Sequence, residues 1–154
     1  MSGSREDVAD LADRCFQQGH NCAQSVLRAV AETRGMACPR CIPAVALAMG
    51  GGIGHTGQAC GALTGGVMAI GLACDRLLEG PLAAKKARAN QLAAAFVDGF
   101  VREFATPDCA AILGFSWRDP DALQRYTSEG AKAEKCTPAV RWAAAAARRL
   151  IDNL

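Results

Sequence analysis

Apolar side chains recur at helical spacing along almost the whole of this chain. Val8, Leu11, Ala12, Cys15 and Phe16 fall on one face at a period of 3.6 residues, which predicts a helix over residues 5–18 that Gly19 stops. Asn21 is a good N-cap for a second helix over 22–34, with Val26, Leu27 and Val30 inside it and Gly35 ending it. The stretch MACPRCIP reads as a loop, and Pro43 opens a short apolar helix to about Met49. Thr56 is placed to cap a helix from Gly57 to about Leu78. Pro81 stands at the first position of a long helix reaching about Phe104. There Leu92, Phe96, Phe100 and Phe104 recur every four residues as a core stripe. TPDCAAILGF offers a capped helical turn and SWRDPDALQRYTSEG a short helix between turns. Thr137 and Pro138 open a last helix to about Leu154, where Arg148 and Arg149 suit the negative end of the helix dipole. No segment alternates convincingly as a strand, and there is no repeat or linker. The expected fold is all-α, a compact multi-helix bundle forming one domain over residues 1–154.

Composition narrows the function classes. Aromatic residues make up only 5% of the 154, which further disfavours a sheet protein. A net charge of +2 is too mild to point to nucleic acid or a membrane surface. The start, MSGSREDVADLADR, is polar and has no apolar leader core, and the most apolar run, Ala59 to Cys74, falls short of the roughly 20 residues a bilayer requires. A soluble, cytoplasmic protein without membrane insertion is expected.

In that compartment eight cysteines suggest metal binding or redox chemistry more than disulfides. Cys22 follows the cap Asn21, Cys60 follows Thr56, Cys109 follows Thr106–Pro107, and Cys136 precedes Thr137–Pro138. All four therefore sit at expected helix N-termini, where free N–H groups and the positive dipole end favour a thiolate or an anionic metal–thiolate cluster. They lie 38, 49 and 27 residues apart, so only tertiary folding can bring them together. Cys15 and Cys74 lie on apolar helix faces and read as core. Cys38 and Cys41 form a C-x-x-C pair, open to metal binding, to dithiol cycling or to no chemistry at all. No βαβ pattern surrounds the pair, no second C-x-x-C accompanies it, and no histidine follows Cys41. Thioredoxin-like, zinc-ribbon and haem-attachment readings are therefore unsupported. His20 and His55 are the only histidines, and His55 reads either as a solvent-facing loop histidine or as a ligand or proton donor near Cys60. No Ser/His/Asp set or apolar carboxylate pair marks a hydrolytic site, so the sequence does not decide whether the chain is an enzyme.

Glycine supplies eight of the 17 residues in GGGIGHTGQACGALTGG, Gly50 to Gly66. A dinucleotide-binding reading fails, because no strand precedes the stretch and no acidic residue follows at the required distance. Gly57, Gly61, Gly65, Ala69 and Ala73 recur every four residues and form a smooth stripe on the expected helix, with Cys60 and Thr64 on its edge. Such a stripe lets a second helix or an inorganic group come close to the backbone, and it equally suits a homodimer. Gly50 to Gly54 would form a flexible or left-handed turn feeding that helix.

Cys22 in GHNCAQSVL, Cys60 in CGALTGG, Cys109 in CAAILGF and Cys136 in KCTPAV together resemble the redox-active family named C_GCAxxG_C_C. The matching motif is Cys60, Gly61, Ala62, Leu63, Thr64, Gly65, and the likeness covers residues from about 6 to 150. The same pattern is similar to the iron–sulfur part of split-Soret cytochromes c, without their haem motifs. What the resemblance implies is an iron–sulfur cluster, [2Fe–2S] or [4Fe–4S], ligated by Cys22, Cys60, Cys109 and Cys136, and an unidentified redox partner protein. The readings left beside it are a thiol–disulfide protein and a zinc or soft-metal binding module. Cys15, Cys38, Cys41 and Cys74 are additional to the pattern.

Overall fold

The computed structural model describes residues 7–154. They form seven α-helices: α1 (Val8–Gln17), α2 (Cys22–Thr33), α3 (Gly61–Leu77), α4 (Leu82–Phe104), α5 (Cys109–Leu113), α6 (Ala122–Thr127) and α7 (Thr137–Ile151). Among the described residues there is no strand, only one isolated antiparallel bridge between Ala59 and Asp108. The all-α expectation holds.

Local sequence explains most boundaries. Asp7 accepts a hydrogen bond from Ala9 N (2.7 Å) and caps α1; residues 5 and 6 of the expected helix lie outside the described residues. Asn21 and Gln24 form a reciprocal capping box at the start of α2. Gly19 and Gly35 leave their helices at φ +103° and +67°, a conformation that glycine adopts at little cost.

Several expected boundaries are corrected. The helix expected from Gly57 begins only at Gly61, with Cys60 as its cap. Gly57 has φ +77°, and the backbone of residues 57–60 instead joins residues 107–110 through Cys60 N to Pro107 O (2.8 Å), Cys109 N to Gln58 O (2.7 Å) and Ala110 N to Gly57 O (3.1 Å). Thr56 does not cap; its hydroxyl donates to Gly52 O (2.8 Å). The helix expected from Pro43 to Met49 shrinks to a single 3₁₀ turn, Ala44–Ala46. Carbonyls that would extend it are engaged from elsewhere: Asn21 Nδ2 donates to Leu47 O and shares Ala46 O with Met49 N, and Gly54 N donates to Ala48 O. Thr137 is no cap either. A π-helical turn, Lys132–Cys136, runs straight into α7, and Thr137 is already helical at φ −57°, ψ −47°. α7 ends at Ile151, three residues short of the expected Leu154, and Pro81 caps α4 rather than opening it.

The main core lies among α1, α2, α3, α4 and α7. Leu92, Phe96 and Phe100 are buried as the stripe requires, and Phe104 is half-buried against Phe100 and Trp142. α2 and α3 come closest because α3 has almost no side chain on that flank. A Cβ added to Gly65 would stand 2.5 Å from Ala23 O, and one added to Gly61 would overlap Cys22 Sγ. On another flank a Cβ at Gly66 would overlap the Phe96 ring. Cys109, Leu113, Phe115 and Ala122, flanked by Trp117 and Tyr126, form a second, smaller cluster. No helix among the described residues is long and apolar enough to cross a membrane.

Candidate functional site

The seam between the two clusters holds four thiols. Cys22, Cys60, Cys109 and Cys136 line a single cavity of about 10 Å³, closed by Ala62, Ile112, Leu113 and Ala139. They come from four separate segments: the first residue of α2, the cap of α3, the first residue of α5, and the end of the π-helical turn before α7. Three of the four thus stand at helix starts. Cys136 does not, because its turn is continuous with α7.

The glycine segment assembles the seam. Gly51, Gly52, Ile53, Gly54 and His55 are consecutive left-handed residues with φ between 60° and 71°. This is the left-handed alternative expected for Gly50 to Gly54. It is a tolerable backbone for glycine and a strained one for the β-branched Ile53. The segment passes between two of the cysteines. Gly51 contributes a backbone N–H contact that favours the Cys22 thiolate, while a Cβ on Gly52 would stand 2.7 Å from Cys109 Cβ. Gly57, displaced from the helical stripe, faces Ala110 of α5, where a Cβ would stand 2.8 Å from that residue's Cβ. Gly61 presses against Cys22 as described. Thr64 bonds back to Gly61 O (3.2 Å) and does not line the cavity.

Burial raises the thiol pKa of all four cysteines. Cys60 is 7% exposed and is pushed up to about 12 by burial and by its closeness to Cys22 and Cys109. The N–H groups of Ala62 and Leu63 at the start of α3 oppose this without overcoming it. Cys22 and Cys136 are raised by burial and by the other thiols, and Lys132 pulls Cys136 the other way. Cys109 is raised by burial, while Trp117 favours its thiolate. With no cation bound, the centre is therefore a cluster of neutral thiols.

Two residues of the site were read in the sequence only as parts of a short helix and its flanking turns. Trp117 packs at tilted angles between His55 (4.6 Å between ring centroids) and Tyr126 (4.9 Å), and its indole Nε1 is buried without a well-aligned acceptor, close to Cys109. Tyr126 hydrogen-bonds the Cys136 thiol, and burial beside the thiols raises its own pKa. The aromatic residues in SWRDPDALQRYTSEG were the only available signal. His55 is exposed and lies against Trp117. It shares with His20, Lys132 and Cys22 an open pocket of about 230 Å³ beside the thiols.

The remaining cysteines are apart from this seam. Cys15 and Cys74 are buried core residues, as expected. Cys38 and Cys41 are half-buried in a loop near Arg76, at the far end of α3. No disulfide occurs among the described residues, which include all eight cysteines.

Four thiols around one cavity are the donor set that iron–sulfur clusters and soft metals use. The donors are not preset. Among the described residues no three His, Cys, Asp or Glu side chains already stand as a metal-binding group, and the cavity holds about one water-sized body.

The family model described as "Putative redox-active protein (C_GCAxxG_C_C)" matches residues 20–150, most of the chain and all four cysteines of the seam. No curated protein and no solved structure matches it.

Proposed function

Because the chain belongs to the redox-active C_GCAxxG_C_C family, we propose that it is an electron-transfer or redox-sensing protein whose iron–sulfur cluster is ligated by Cys22, Cys60, Cys109 and Cys136. The observation that carries this reading is the meeting of these four thiols, from four separate segments, around one small cavity. The resemblance of the cysteine motif to the iron–sulfur part of split-Soret cytochromes c implies the same cofactor.

When bound, such a cluster supplies reversible one-electron chemistry. The chain's own residues set its surroundings. Ala62, Ile112, Leu113 and Ala139 give the sulfurs an apolar lining on one side, while Cys22 also borders the open pocket with His20, His55 and Lys132. The N–H groups of Ala62 and Leu63 are aimed at Cys60, and that of Gly51 at Cys22; both favour negative sulfur. Trp117 does the same for Cys109. Lys132 supplies a nearby positive charge beside Cys136. The thiols must lose their protons on binding, so loading releases protons. Their raised pKa also disfavours the thiol–disulfide alternative, because a protonated buried thiol is a poor nucleophile.

The test is iron and acid-labile sulfide analysis of anaerobically purified protein, with its visible absorption. Iron and sulfide in cluster stoichiometry, lost together when any one of the four cysteines is replaced by serine, is the expected result. Zinc without sulfide, or reversible disulfides among the four and no iron, overturns it.

A further inference from the structure

Cys38 and Cys41 take no part in the four-thiol cavity, and they have a geometry of their own. The carbonyl of Cys38 accepts hydrogen bonds from Cys41 N (3.0 Å) and Ile42 N (2.7 Å), so residues 38–41 close a tight turn with Pro39 at its second position. Such a turn holds its end Cα atoms within about 7 Å, a range that overlaps the ~4.4–6.8 Å spanned by a disulfide. The two thiols hydrogen-bond each other. Both are half-buried, within reach of a reactant, and Pro39 and Arg40 between them are exposed.

Arg76, in the last turn of α3, lends positive charge to both sulfurs. That charge opposes a metal cation and favours a thiolate. Among the described residues no third donor joins the pair in a metal-binding group. Hydrogen bonding from Cys41 lowers the pKa of Cys38, and the same contact raises that of Cys41. The pair is thereby divided into an attacking and a resolving sulfur.

We propose that Cys38 and Cys41 form a second, surface redox site, a dithiol–disulfide pair that exchanges two electrons with a disulfide on another molecule. The Cys38 thiolate attacks one sulfur of the substrate disulfide, forming a mixed disulfide and releasing the first substrate thiol. Cys41 then gives up its proton and attacks Cys38 Sγ, closing the Cys38–Cys41 bond and releasing the second. The pair loses two electrons and two protons, and the substrate disulfide takes up both. The substrate's disulfide is carried either by a small thiol or by a protein.

The full-length protein, prepared anaerobically, is treated with oxidised glutathione and mapped by peptide mass spectrometry. A Cys38–Cys41 disulfide and the loss of two titratable thiols are expected. In Cys41→Ser the glutathione adduct on Cys38 persists. In Cys38→Ser reaction at Cys41 is slower, by about threefold for each pKa unit between the two thiols. That factor is the net of tenfold more thiolate and a nucleophilicity that falls with pKa. A second arm offers the reduced protein insulin as a protein disulfide. Closure with glutathione alone assigns a small-molecule substrate, and insulin reduction that is lost in Cys38→Ser assigns a protein one. If neither reagent closes the Cys38–Cys41 bond, or if glutathione adducts accumulate unresolved on the wild type, the proposal is overturned.

Discussion

Three glycines of α3 allow one substitution to be tested against different surroundings. A Cβ at Gly71 meets nothing within 4 Å. Gly71→Ala therefore gains only helix propensity, about 1 kcal/mol, and should raise the melting temperature by roughly 2–4 °C in a chain of this size. A Cβ at Gly65 would stand 2.5 Å from Ala23 O, 2.9 Å from Ala23 Cα and 3.1 Å from Ala23 C. Those are backbone atoms of α2 and cannot rotate away, so the two helices must separate. Overpacking of this kind costs about 1–3 kcal/mol. Set against the same propensity gain of about 1 kcal/mol, Gly65→Ala should come out neutral to about 2 kcal/mol less stable. At Gly61 the atom in the way is mainly Cys22 Sγ, which can swing aside, so stability should fall less than in Gly65→Ala. The displaced thiol is a proposed ligand, however, and iron per folded protein should fall most in Gly61→Ala. Thermal and urea unfolding of the three variants, followed by circular dichroism, gives the stability order, and iron analysis of the same preparations gives the second. Should Gly65→Ala stabilise as much as Gly71→Ala, the close approach of α2 and α3 is wrong. If Gly61→Ala keeps its full iron content, Cys22 does not ligate from this position.

Other predictions concern the thiols and their neighbours. Cys74→Ala should retain iron and lose only about 1 kcal/mol of stability through its small cavity, whereas Cys109→Ser should lose the cluster; iron analysis and unfolding curves separate the two. The metal-free protein holds thiol protons that its unfolded chain releases. Its stability should therefore be level below about pH 9 and fall as pH rises toward the value of about 12 for Cys60, and Cys60→Ala should flatten that fall in melting curves taken across this range. Trp117→Phe removes a donor that favours negative sulfur at Cys109, so a bound cluster should shift to lower potential in protein-film voltammetry; an unchanged potential would show that the indole N–H does not act on the centre.

The fold was legible where one residue decides a boundary. Asn21, Gly19 and Gly35 begin or end helices for reasons contained in their own chemistry. The Leu92, Phe96 and Phe100 stripe likewise had only one helical face to occupy. What the sequence hid depends on partners distant along the chain. The start of α3 moved from Gly57 to Gly61 because residues 57–60 bond to residues 107–110, and no local signal at Thr56 reports that pairing. The Pro43 helix was cut short by the side-chain amide of Asn21, which lies more than twenty residues earlier. Thr137–Pro138 has the residues of a helix start, yet a π-helical turn was already under way. The four cysteines stand out in the sequence by their expected helix-start positions and by the motif. They do line one cavity, although Cys136 gets there on a continuous helix. Trp117 and Tyr126 were missed because aromatic residues in a turn-rich segment carry no mark of the sulfurs they will face.

The length of α3 matters for a chain so rich in thiols. Cys60 caps one end of the helix and Arg76, beside Cys38 and Cys41, lies in its last turn. A helix of 17 residues is roughly 25 Å long, whereas sulfurs must come into bonding contact before they can exchange. The rod therefore quarantines two sets of cysteines that would otherwise be free to scramble. An oxidant that closes the loop pair cannot pass its disulfide to the four thiols of the seam while α3 stays folded, and mispairing between the two sets becomes a hazard of the unfolding chain alone.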